Sequence, residues 1–119
     1  MPKNLIASAV IESNDEGLRK LIHERLKVMV KFTADDCPVC KLLAPGFRKF
    51  AEDDKYLSIL FLRLDCEENP VAKQMMAERS APFFVSYCQG RILECDTRET
   101  EAGMQAQLDR LRAFVPHTA

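Results

Sequence analysis

Two cysteines separated by two residues, Cys37 and Cys40, lie in the segment Asp35-Asp36-Cys37-Pro38-Val39-Cys40-Lys41, just past an apolar run and just before a helical pattern. A C-x-x-C at a strand-to-helix junction is a candidate redox dithiol. Pro38 sharpens that reading. Proline favours the first helical position, where the N–H it lacks would be unpaired and where its fixed φ already suits a helix. Cys37 is then the cap residue, with its sulfur facing the unpaired N–H groups of Val39 and Cys40. Those donors and the positive end of the helix dipole favour a thiolate. Cys40 follows at i+3 on the same face, where it can close a disulfide with Cys37. The spacing predicts an attacking cysteine and a resolving one.

The elements that position this pair are read from the apolar periodicity. Leu5 to Glu12 is an expected strand, and Ser13-Asn14-Asp15-Glu16 is a helix-start cluster. Leu18, Leu21, Ile22, Arg25 and Leu26 follow at helical spacing. Lys27 to Ala34 is a second strand, apolar on both faces apart from Lys31, which suits a central position. The dithiol helix runs on from Pro38 with Val39, Leu43, Phe47 and Phe50 as its apolar stripe and a kink expected at Pro45. A third strand is expected over Tyr56 to Leu64, an acidic turn over Asp65 to Pro70 and a short helix over Val71 to Arg79. Phe83 to Cys88 and Arg91 to Cys95 flank Gln89-Gly90, a two-residue hairpin signal. Glu101 to Phe114 closes the chain as an amphipathic helix with Met104, Leu108, Leu111 and Phe114 inward. This order predicts one α/β domain over residues 1–119 with a mixed sheet.

At 119 residues the chain is long enough for a core that folds without staples. A net charge of −1 points away from nucleic acid. Met1-Pro2-Lys3-Asn4 leads into a short apolar stretch with no small-residue cleavage site, so no signal peptide is expected, and no apolar run approaches a membrane span. Five cysteines at irregular spacing argue against a secreted disulfide framework. A reducing compartment, the cytoplasm, is the expectation. Cys66, Cys88 and Cys95 are read first as small hydrophobes. Cys88 and Cys95 flank the hairpin and would pair under oxidation only in a suitable register. They are a poor second pair for zinc, and only His23 and His117 remain, so no metal is expected.

Over nearly its whole length the sequence resembles the thioredoxin family. The residues that carry the likeness are VKFTADDCPVCK with Pro45 beyond it, Phe61-Leu62-Arg63-Leu64-Asp65, Glu68-Asn69-Pro70, and Ala81-Pro82-Phe83-Phe84 before Gln89-Gly90. The resemblance implies a five-stranded mixed sheet in the order 1-3-2-4-5 flanked by four helices. It also implies a cis Pro82 beside the dithiol, with the Ala81-Pro82 loop, Asp36 and Pro38 meeting an extended stretch of substrate. In the chemistry it implies, Cys37 attacks a protein disulfide, Cys40 resolves the mixed disulfide, and a donor reductase, thioredoxin reductase-like or glutathione-linked, restores the dithiol. No cofactor beyond the Cys37–Cys40 pair is implied, and a monomer is expected.

Three positions depart from the family pattern. Asp36 replaces the usual Trp, and the chain has no tryptophan. Lys31 replaces the buried acid of the strand before the site. Pro38-Val39 replaces Gly-Pro, which is closer to the glutaredoxin pattern. Asp35 and Asp36 stabilise the helix start but oppose a Cys37 thiolate, one acid at about 6 Å by on the order of 1 kcal/mol. The helix terminus returns roughly 0.3–1 kcal/mol, up to about 2 if partly buried, so the two effects nearly offset and only a moderately acidic Cys37 is expected. Lys31 has two readings: a stem covering apolar surface with its ammonium in water, or a desolvated lysine taking the proton of Cys40 or facing a thiolate. Arg63 resembles a basic family position beneath the site. The function predicted is a thiol–disulfide oxidoreductase acting on protein disulfides. Its rival is a binding or adaptor module of the same fold with little redox turnover.

Overall fold

The computed structural model of the chain describes residues 9–116. Within them run β1 (Val10–Glu12), α1 (Asp15–Glu24), β2 (Lys27–Thr33), α2 (Pro38–Ala51), a 3-10 turn (Asp54–Tyr56), β3 (Ile59–Asp65), α3 (Pro70–Met76), β4 (Phe83–Cys88), β5 (Arg91–Thr97) and α4 (Glu101–Ala113). The strands form one mixed sheet in the order β1-β3-β2-β4-β5. Strands β1 and β2 run parallel to β3, while β4 is antiparallel to β2 and β5 to β4. The architecture is the expected one.

Strand β2 lies at the centre, and all seven of its residues are buried. Its alternation sends Val28, Val30 and Phe32 to one face, where they meet Leu18 of α1 and Ala72 of α3. Met29 goes to the other face, against Phe47 of α2 and Leu108 of α4. The two faces thus carry separate apolar clusters, each sealed by two helices. Phe47 is nearly inaccessible, with its ring edge-on to Phe61 at 5.2 Å between centroids. Truncation of such a ring to Ala costs about 3–5 kcal/mol.

Local signals set most of the element starts. Asn14 caps α1 by accepting from the Gly17 N–H at 2.8 Å, and Thr100 caps α4 through the Gly103 N–H at 3.0 Å. Gln89 and Gly90 both have positive φ, 54° and 79°, as a two-residue hairpin turn between twisted strands requires. Helix α3 is capped from a distance. The Asp15 carboxylate accepts from the N–H groups of Val71 and Ala72, both at 2.9 Å.

Several boundaries differ from the sequence reading. The part of the first strand at residues 5–8 lies outside the described residues, as does His117. Helix α1 stops at Glu24, which leaves Leu26 half exposed. Strand β2 ends at Thr33 and β5 runs on to Thr97. Tyr56 belongs to the 3-10 turn, because Asp53 accepts from the Lys55 N–H and fixes that turn, and β3 begins only at Ile59. Helix α3 ends at Met76, since Ala77 turns to φ 52°. Phe114 does not point inward: it follows α4 in extended conformation, and its carbonyl accepts from the Lys27 ammonium at 2.8 Å. Helix α2 continues through Pro45 to Ala51.

Candidate active site

The dithiol sits where β2 gives way to α2. Cys37 is the cap residue of α2 and Pro38 opens the helix. The Cys37 Sγ accepts from the Cys40 N–H at 3.1 Å, whereas no such bond is made with Val39, whose N–H the sequence reading also placed at the sulfur. Cys37 and Cys40 are joined as a disulfide with their Cα atoms 5.2 Å apart. Their exposures are unequal. Cys37 is partly open, while Cys40 is 6% exposed and sealed behind it. Of the two, Cys37 is the residue open to solvent.

The approach to Cys37 is shaped by two loops. Asp36, exposed, holds φ 53°, a left-handed conformation that Asp accepts more readily than bulky residues. On the other side the Ala81–Pro82 peptide is cis, and the Ala81 carbonyl oxygen lies 3.5 Å from the Cys37 Sγ. Pro82 is buried and leads straight into β4. Pro38 is exposed on the rim. Two segments distant in the chain, 36–38 and 81–82, thus come together at the Cys37 sulfur.

Beneath the pair lies Lys31. Its side chain is only 2% exposed, with Nζ 4.9 Å from the centre of the Phe47 ring. Among the described residues its ammonium makes no hydrogen bond or ion pair. Lys31 forms part of the wall of an open cleft of about 530 Å³ that also contains Cys37, Cys40, Lys41 and Arg63. It borders a second hollow of about 290 Å³ with Glu12, Arg48 and Arg63. Burial pulls its pKa down to about 8, helped by the neighbouring Arg63 and Arg48 charges and opposed by Glu12. The stem lies against Phe47 while the ammonium opens on the cleft, since among the described residues no enclosed side-chain nitrogen lacks a hydrogen-bond partner. Arg63 itself is partly exposed and donates to the Glu12 carboxylate at 2.5 Å.

Arg48 is the member of this group that the sequence reading missed. Its signal was available: Lys41, Ala44 and Arg48 recur at i, i+3 and i+7, one face of α2. The remaining cysteines stand apart from the site. Cys66 is buried beyond β3, where burial and then the charges of Asp65 and Glu67 push its thiol up to about 11. Cys88 packs in the cluster under α2 and α4, while Cys95 pairs with Val85 of the opposite face. Opposite faces rule out the hairpin disulfide that the sequence left open. Cys95 is exposed, with Arg79 Nη1 3.8 Å from its sulfur.

Comparison with known proteins agrees with this geometry. The family model described as Thioredoxin matches residues 9–115. Thioredoxin H3 of Arabidopsis thaliana is 28% identical over 93% of this chain and 92% of its own. Thioredoxin H1 of the same plant is 32% identical over 76% of this chain and 77% of its own. Among solved structures, thioredoxin f from spinach chloroplast (short form) superposes with a TM-score of 0.80 at 24% identity, over 91% of this chain and 97% of that one. The Malassezia sympodialis thioredoxin does so at 0.79 and 22% identity, over 87% and 94%.

Proposed function

The chain belongs to the thioredoxin family and is a protein-disulfide oxidoreductase, and on that premise we propose a two-step exchange carried by Cys37 and Cys40. Members of the family use their own cysteine pair without an external cofactor. In the first step the Cys37 thiolate attacks one sulfur of a partner disulfide; a Cys37–substrate bond forms, and the other substrate sulfur leaves as a thiolate that takes a proton from solvent. In the second, the Cys40 thiolate attacks the Cys37 sulfur and releases the second substrate thiolate. Two protein thiols are oxidised to one disulfide while one substrate disulfide becomes two thiols. A donor reductase, thioredoxin reductase-like or glutathione-linked, reverses the balance on Cys37–Cys40.

The observation that carries this reading is the division of labour in exposure. Cys37 is open at a helix cap with its sulfur on the Cys40 N–H, and Cys40 is sealed behind it. A cap N–H and the helix dipole stabilise a thiolate at that atom. The Ala81–Pro82 loop, Asp36 and Pro38 surround the open sulfur and form the proposed contact surface for an extended substrate strand. Lys31 is the proposed proton acceptor for Cys40. Its lowered pKa, about 8, makes a neutral amine accessible near neutrality. The odd cysteines, two of them buried as free thiols, suit a reducing compartment, and the cytoplasm is the proposed location. A monomer suffices for the chemistry, because one chain supplies both sulfurs.

Insulin reduction with dithiothreitol as donor tests the reading. The protein should accelerate reduction over dithiothreitol alone; Cys37→Ser should abolish the acceleration; Cys40→Ser should trap a substrate as a Cys37 mixed disulfide visible on a non-reducing gel. Absence of acceleration with no trapped species would transfer the fold to the adaptor reading.

A further inference from the structure

Lys31 is a cation with no counter-ion. A buried ammonium is costly unless a hydrogen-bonded partner or an opposite charge offsets its lost hydration. Among the described residues Lys31 has no direct hydrogen bond or ion pair: its side chain lies on the face of Phe47, its ammonium is left to the water of the cleft, and Glu12 acts on it only at longer range. Its Nζ reaches a cleft that holds both sulfurs and is large enough for a small molecule or a side chain.

The groups around it add to the imbalance. From β3, Arg63 stands next to Lys31 in register, and from α2, Arg48 adds a second guanidinium. Glu12 of β1 is the one carboxylate on that side, and it is engaged by Arg63. Lys41 of α2 stands exposed at the rim. The opposing charges at the cleft, Asp35 and Asp36, are both exposed at its mouth. The cleft that holds both sulfurs thus has its buried charge, Lys31, positive and its acids, Asp35 and Asp36, exposed.

We propose that the floor of this cleft is a carboxylate subsite, in which the Lys31 ammonium, supported by Arg63, holds an acidic group borne by the disulfide substrate close to the sulfur under attack. This rests on the exchange reading above and adds a substrate class to it: disulfides flanked by a carboxylate. With the disulfide closed, a pKa of about 8 leaves about nine Lys31 side chains in ten charged at pH 7, and the Cys37 thiolate of the reduced protein favours that anion-holding form further. The neutral remainder is the form that takes a proton from Cys40. A bound carboxylate also supplies the counter-ion that the fold withholds.

The test uses the reduced wild-type protein at low ionic strength and three small disulfides: dithiodipropionate, which is anionic, bis(hydroxyethyl) disulfide, which is neutral, and cystamine, which is cationic. The readout is the ratio of second-order rate constants, so that thiolate ionisation, common to all three, cancels. Dithiodipropionate should be reduced about fivefold faster than the neutral disulfide at pH 7, and cystamine more slowly. That preference should fall away at alkaline pH, above the value of about 8 that Lys31 has with the disulfide closed, because the Cys37 thiolate of the reduced protein stands in the same cleft and holds the lysine proton longer, while the arginines and carboxylates keep their charge. It should be lost in Lys31→Met and kept in Lys41→Gln. A ratio near one at pH 7, a ratio indifferent to pH in the wild type, or a preference abolished by Lys41→Gln instead of Lys31→Met overturns the subsite. The wild-type pH series decides even if Lys31→Met fails to fold. Failure to reduce any of the three disulfides would count against the exchange reading itself. A cystine peptide with Glu beside the disulfide, set against its Gln counterpart, then separates the sources. A preference shared by the peptide assigns the carboxylate to protein substrates, and one confined to dithiodipropionate assigns it to small acidic disulfides.

Discussion

Lys31 and Arg63 stand side by side in register on the neighbouring parallel strands β2 and β3, two cations on one face of the sheet beneath the dithiol. Like charges placed opposite each other across a ladder destabilise it. Glu12, paired with Arg63 on β1, relieves one of them and leaves the other. The row Glu12–Arg63–Lys31 continues through the apolar Phe84 to Asp96 on β5, so Lys31 has no carboxylate on either adjacent strand of its row. A stability optimum would not place a charge there, so its effect should be measurable in both stability and rate.

The stability consequence follows from the sign of the shift. The Lys31 pKa falls from 10.5 in an unfolded chain to about 8 in the fold. Between those values the unfolded chain binds more protons, so stability rises with pH across that window; below about pH 8 the penalty is fully present. Its size is about 3 kcal/mol as an upper estimate. Lys31→Met should be more stable than the wild type at pH 7 by up to that amount, less about 0.5–1 kcal/mol for the lost ammonium–Phe47 contact. Urea unfolding of both proteins from pH 7 to 10.5 checks this. A gap between the two that does not shrink as pH rises removes the buried-charge account of Lys31.

Glu94 carries the opposite sign. Its carboxylate takes two hydrogen bonds from Arg110, both at 2.8 Å, and one from Arg98 at 3.3 Å, and the Arg110 bond is the main cause of its lowered pKa. A depressed carboxyl contributes stability above its unfolded pKa of about 4.5, and that contribution is lost as pH falls through the folded value. Because Arg110 is half exposed, solvent screening limits the gain to about 1 kcal/mol or less. Glu94→Gln should thus cost up to about that much at pH 7, with the cost closing in acid. Thermal melts at pH 7 and pH 3 measure it; an equal cost at both would show that Glu94 does not act through its charge.

The free cysteines should separate by reactivity. Cys95 is exposed, whereas Cys66 and Cys88 are buried, and the Cys66 thiol is pushed up to about 11. With Cys37–Cys40 oxidised, iodoacetamide at pH 8 should modify Cys95 and leave the other two untouched until the protein unfolds. Mass mapping of the alkylated peptides reads this directly. Labelling of Cys66 in the native protein at a comparable rate would contradict its placement in the core.

What could be read from the sequence was what neighbours in the chain decide. Pro38 marks the start of α2, Gln89-Gly90 turns the hairpin with two positive φ angles, and the alternation in β2 sorts Val28, Val30 and Phe32 from Met29. What could not be read depends on distant partners. Asp15 caps α3 from 56 residues away. Lys27, taken as an ordinary strand residue, closes the end of α4 by donating to the carbonyls of Arg112 and Phe114, which draws Phe114 out of the core. The faces of Cys88 and Cys95 follow from a β4–β5 register with a bulge at Ser86/Tyr87, which no local pattern announces. At the site, likewise, the Lys31 substitution was visible, but its pairing with Arg63 and the nearness of Arg48 were products of strand register and helix packing.

The two acids before the dithiol provide the last expectation. Asp35 and Asp36 are exposed and border the same cleft as Cys37. A carboxylate near a thiolate raises the energy of the charged form, by on the order of 1 kcal/mol, against roughly 0.3–1 kcal/mol, up to about 2 if partly buried, returned by the helix terminus. Neutralising the acids should therefore leave the helix terminus and the Cys40 N–H unopposed. Asn is the suitable replacement at Asp36, because φ 53° is a conformation that Asn also tolerates. The variant Asp35→Asn/Asp36→Asn, reduced, should alkylate at Cys37 several-fold faster than the wild type near pH 6, with the two rates converging at high pH where both are ionised. Added salt should narrow the difference, since exposed charges are screened over a Debye length of about 10 Å at 0.1 M. If the variant and the wild type share one pH–rate profile at low salt, the acids do not restrain the nucleophile, and the cause of any weak reactivity in Cys37 must lie beneath it, with Cys40 and the cleft floor.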